Sequence, residues 1–146
     1  MRKFDPFTSD EEIFTIGTGL LDRTLPKSVW THAAHFAATL WLLECRPEVE
    51  ISREMPGIIR GYNEATGGEN TDSSGFHATI TQASIRAARA FLAEVAPGPL
   101  WVKCNALMQS RLGDPGWLLE YWTRSRLFSV EARRGWLEPD LKSLPF

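Results

Sequence analysis

Residues 26–46, PKSVWTHAAHFAATLWLLECR, decide the fold. Pro26 suits the first turn of a helix, where its missing N–H would have had no partner, and Pro47 closes the segment. Trp30, Phe36, Leu40, Trp41, Leu42 and Leu43 leave it apolar nearly all round. A helix of that kind belongs at the centre of a bundle. As a bilayer crossing it is too short, and His32, His35, Glu44 and Arg46 interrupt it.

Outward from this helix the signals stay helical. Ser9-Asp10-Glu11-Glu12 has the spacing of a capping box and opens a helix to about Arg23, which Gly17 and Gly19 weaken. Ile51, Met55, Ile58, Ile59 and Tyr62 follow helical spacing, with Pro56-Gly57 predicting a kink or a break into two short helices. TGGENTDSSG, residues 66–75, is a loop by composition, and an N-cap for the next helix is expected among Thr71 to Ser74. That helix spans about Phe76 to Ala96, with Phe76, Ile80, Ala83, Ala87 and Phe91 as its core stripe. Pro97-Gly98-Pro99 ends it and starts another over Leu100–Leu112. Asp114-Pro115 signals a helix through Tyr121 and Trp122, Ser129 caps a short last one ending near Gly135, and EPDLKSLPF is a tail packed on the surface. No segment has strand period. The expectation is an all-α, single-domain bundle of five to seven helices over residues 1–146 around the helix at 26–46.

Composition narrows the function class. The chain has 146 residues, 43% of them hydrophobic, with six Trp and eight Phe, enough to fill a core of ordinary size. A net charge of −2 gives no reason to invoke nucleic acid, and no apolar stretch is long enough for a membrane. The charge is uneven. Residues 1–75 carry seven Lys or Arg against twelve Asp or Glu, and residues 76–146 carry nine against six. Arg111, Arg124, Arg126, Arg133 and Arg134 supply most of that basic character, which reads as a solvated face or as a site for an anionic ligand or acidic partner. Cys45 and Cys104 sit inside apolar helical patterns, lack CxxC spacing and read as buried, reduced thiols. MRKFDPFTSDEE has no apolar core of a secretory signal, so the expected compartment is the cytoplasm. The oligomeric state leaves no signature.

The chemistry rests on the three histidines. His32 and His35, spaced i, i+3, share a helix face, and two imidazoles at that separation can hold one metal ion or contact one ligand. His77 lies in the first turn of its own helix. With short connections reversing the chain twice, all three fall toward one end of the bundle. Tyr62, Asn63, Asn70, Thr71 and Thr81 stand near that end, and Trp30 can wall a pocket there. Two helix N-termini make the local field positive, which keeps imidazoles neutral and favours an anion. A divalent Zn, Ni or Fe would then need a carboxylate, with Glu64 or Asp72 as candidates. The readings are a three-histidine metal site with metal-dependent chemistry, a pocket for a small, anionic ligand or a regulatory module, and a purely structural cluster. HExxH, GxSxG, Walker and GxGxxG motifs are absent.

The stretches WTHAAHFAATLWLL, MPGIIRGYNEATGGENTDSSGFHATIT and SRLFSVEARRGWLEPDLKSLPF resemble a family of small uncharacterised bacterial helical proteins, which pair a THxAHL-like helix with a later G-[FY]-H-x-T-I-T segment. The resemblance covers most of residues 28–146. It implies roles for Thr31, His32, His35, Tyr62, Asn63, Asn70, Thr71, His77, Thr79 and Thr81, and it carries no activity. Many members are expected to have an acidic residue or histidine after the second-motif histidine, where this chain has Ala78.

Overall fold

The computed structural model describes residues 4–146, so the first three residues of the amino-terminal stretch read above lie outside it. Seven α-helices and no strand occur among the described residues: α1 (Asp10–Asp22), α2 (His32–Cys45), α3 (Ile51–Ala65), α4 (Ala78–Glu94), α5 (Leu100–Gln109), α6 (Arg124–Leu127) and α7 (Val130–Arg134). No helix among the described residues is long and apolar enough to cross a membrane. The all-α expectation holds.

α2 is the central helix. It packs on α1, α4 and α5 and buries Ala33, Ala34 and every residue from Phe36 to Leu42. The close approach of α1 depends on Gly17, where an added Cβ would lie 2.1 Å from the Trp41 ring. The glycine that weakens α1 as an isolated helix is what allows it to seat against its neighbour. Ser9 caps α1 as expected, its hydroxyl accepting from Glu12 N at 3.3 Å. The Glu12 carboxylate reaches one residue further back than a capping box requires, accepting from Thr8 N at 2.8 Å.

Several boundaries differ from the expectation. α2 starts at His32 rather than near Pro26, because Lys27–Val29 forms a single 3₁₀ turn and Thr31 is the N-cap, accepting from Ala34 N at 3.2 Å. α3 runs through Pro56 unbroken. Proline removes the N–H that would have bonded Ser52 O, and Gln82 of α4 supplies a replacement, its Nε2 donating to that carbonyl at 2.9 Å. The N-cap of α4 is His77, not a residue of Thr71–Ser74. α5 stops at Gln109, since Ser110 begins a 3₁₀ turn at Arg111–Gly113, and the segment after Pro115 is a 3₁₀ turn, Trp117–Glu120, rather than an α-helix.

The tail does pack on the surface. Trp122 Nε1 donates to Leu137 O at 2.9 Å, Thr123 N and Oγ1 both donate to Asp140, and Leu141 N donates to Tyr121 O. Thr79, fully buried in the first turn of α4, holds the same segment from within by donating to Gly135 O at 2.9 Å and accepting from Leu137 N.

Candidate functional site

A cavity of about 330 Å³ lies between the first turns of α2 and α4, the middle of α3 and the C-terminal segment. His32, His35 and His77 all line it, with Trp30, Asn63 and Thr81. Most of the wall is apolar, and no Asp, Glu, Lys or Arg lines it among the described residues.

The three imidazoles are held very differently. His77 is buried, its Nδ1 accepting from Ile80 N at 3.2 Å and its Nε2 lying 2.7 Å from Leu127 O. An acceptor at Nδ1 and a carbonyl opposite Nε2 define the neutral tautomer with hydrogen on Nε2. Burial lowers its pKa most, and the nearby Arg133 adds to that, while the Leu127 carbonyl works in the opposite direction. Both nitrogens are committed. His32 donates from Nε2 to Leu112 O at 2.8 Å and meets Phe36 edge to face, with ring centroids 5.3 Å apart. Its Nδ1 makes no hydrogen bond among the described residues.

His35 is the free one. Its ring stacks on Trp30 with centroids 3.8 Å apart, and neither nitrogen has a hydrogen-bond partner among the described residues. The ring is open to solvent on the cavity side, yet protein packs around the rest of it. That loss of water, followed by the charge a protonated His32 would place beside it, pushes its pKa down to about 4. Near neutral pH it is an uncharged imidazole with one donor and one acceptor to offer.

The other expected residues divide between wall and scaffold. Thr81 and Ser84, on successive turns of α4, line the cavity with hydroxyls that make no hydrogen bond among the described residues. Asn63 lines it too, while its Nδ2 donates to Asn70 Oδ1 at 3.0 Å. Asn70 is a hub. It also donates to Arg60 O and accepts from Phe76 N, and so fixes the loop that carries His77. Gly75 makes the tight turn here with φ +81°, and an added Cβ would fall 2.1 Å from Glu69 O. Tyr62 is buried, donates to Leu25 O at 2.8 Å and touches Trp30 edge to face. Thr71 bonds only within its own turn, accepting from Ser73 N and Ser74 N.

Neither candidate carboxylate lines the cavity. Glu64 is exposed, and Asp72 is engaged by Arg134 in a two-pronged pair at 2.9 and 2.7 Å, which holds its carboxyl below the usual range. Among the described residues no group of three or more His, Cys, Asp or Glu is placed to hold a metal ion. The arginines of the C-terminal part are largely engaged. Besides Arg134, Arg133 donates to Gly75 O, Arg126 to Glu138 O and Arg111 to Glu120.

Sequence reasoning missed one wall. Trp117, Leu118, Leu127 and Phe128 close the cavity from the C-terminal segment. They are some forty to fifty positions from His77, and no local spacing brings them there. Trp117 is 5% exposed, and its indole Nε1 is buried with no hydrogen-bond partner. No family model matches the chain, and no curated protein or solved structure matches it.

Proposed function

We propose that the chain binds a small, uncharged, mostly apolar molecule in this cavity, with His35 as the hydrogen-bonding group that orients it. One observation carries the reading: an apolar cavity, free of charged side chains among the described residues, exposes a neutral imidazole braced flat on an indole with both nitrogens unengaged. Ligand sites commonly have this make-up, an apolar wall with a few convergent polar groups. Thr81 and Ser84 add two hydroxyls, and 330 Å³ equals about eleven water volumes of liquid, room for a molecule of that many heavy atoms. The two free thiols, Cys104 buried as expected and Cys45 exposed instead because it ends α2, suit a reducing compartment such as the cytoplasm.

An anionic ligand fits less well, because no cationic side chain meets it among the lining residues. A metal bound by all three histidines would require His77 to surrender either its cap on α4 or its bond to Leu127 O.

The test is a thermal melt of the full chain with 1-octanol and with octanoate. At one hundred times its Kd, 1-octanol stabilises the folded state by about 2.7 kcal/mol, a rise of roughly 8 °C for a chain this size. Octanoate is expected to bind at least tenfold more weakly. A larger shift with octanoate, or a saturable shift only with zinc, would replace this reading with the anionic or the metal one.

A further inference from the structure

Resting on the pocket reading above, we infer that His32 is the partition that sets how long a ligand the cavity accepts. A second cavity, of about 440 Å³, lies on the other side of it, beneath the segment that leads into α1. Phe4, Phe7, Ile16 and Met108 contribute to its wall, and among the described residues only His32 and Pro115 line both cavities. The two spaces are therefore neighbours that meet at His32 and Pro115. Pro115 is fixed by its own ring, whereas His32 has rotatable bonds. Its Nε2–H bond to Leu112 O and its edge-to-face contact with Phe36 hold the imidazole in one position at this shared wall.

The two sides differ chemically. Among the described residues no charged group lines the first cavity, whereas the second includes Asp5 and Glu12. A chain that passed the partition would have to be uncharged or cationic at its far end, because a carboxylate there would meet two others. His32 thus works as a length selector: compact ligands fit beside His35, and longer ones stop at its ring.

A series of straight-chain alcohols from 1-hexanol to 1-tetradecanol, measured by competition on the full chain, tests this. For wild type, affinity should rise about fourfold per added methylene and then level off near the length that fills the first cavity, on the order of ten carbons. In His32→Ala the rise should continue for several more carbons. His32→Asn, which keeps a donor for Leu112 O on a shorter side chain, should extend it less and guards against loss of folding in the alanine variant. An unmoved levelling point in a folded variant would overturn the partition while leaving the pocket intact. No alcohol binding to wild type would overturn both. A readout independent of any variant is the Met108 methyl resonance, which should stay still when wild type is saturated with 1-octanol; a shift there would mean that His32 does not divide the two spaces.

Discussion

α2 and α4 both start at the cavity beside a histidine, His32 as the first residue of α2 and His77 as the cap of α4, and they use it in opposite ways. At α2 the Thr31 hydroxyl caps the helix by accepting from Ala34 N, so His32 and His35 keep ring nitrogens uncommitted to the backbone amides. At α4 there is no hydroxyl in that place, and the His77 ring itself accepts from Ile80 N while its other edge reaches Leu127 O. Which residue satisfies the first-turn N–H groups determines whether a histidine is a free chemical group or a piece of scaffold. Proximity of three imidazoles is therefore a weaker statement than it sounds, since only one of them is available from both nitrogens.

The comparison can be broken most forcefully at His77. His77→Ala removes a cap and leaves a buried carbonyl unpaired, and should cost about 2–4 kcal/mol in a denaturant titration. His77→Asn restores a good cap without reaching Leu127 and should recover about 1 kcal/mol of that. If His77→Ala cost no more than a surface change, the scaffold role would be wrong.

Thr31→Ala should cost about 1 kcal/mol, the usual worth of an N-cap hydroxyl. It should also weaken 1-octanol binding, because the turn that carries His35 loses its anchor. Smaller again is the effect of pH. His35 and His77 both titrate lower folded than unfolded, His35 at about 4 against an ordinary 6.5. The unfolded chain therefore binds more protons over that window, so their stabilisation is complete above about pH 6.5 and is lost as pH falls toward 4. The melting temperature should decline over this range, and the decline should be shallower in His77→Asn. Least of all for stability, His35→Gln should change it by about 1 kcal/mol or less, since the side chain gives up its stack on Trp30 but no hydrogen bond among the described residues, yet lower 1-octanol affinity severalfold. A large loss of stability with unchanged binding would reverse the roles assigned to the two histidines.

Much of the fold could be read from local pattern, because helix period, proline and capping residues act over a few positions. The centrality of α2 followed from its apolar circumference, and Ser9 and Ser129 cap α1 and α7 where their spacing placed them. The start of α2 was misplaced because Pro26 offered a valid first-turn signal six residues early; Thr31, a hydroxyl before an apolar run, was the better one. His77 as a cap lay beyond pattern reading, since imidazole is seldom used in this way. Thr81, Asn63 and Trp30 were legible as wall residues from their nearness to the histidines. Trp117, Leu127 and Phe128 were not, nor was the Asp72–Arg134 pair, because contacts between distant parts of a chain leave no periodic trace.

The carbonyl of Ser52, left without its helical partner by Pro56 and met by Gln82, has a consequence for how the chain assembles. Until α4 docks, α3 contains a polar gap that only water can fill, and after docking that gap is sealed by a side chain from another helix. The two helices therefore gain their last hydrogen bond together. In native-state hydrogen exchange, the amides of the second half of α3 and of the middle of α4 should open as one cooperative unit, and Gln82→Ala should split it into two.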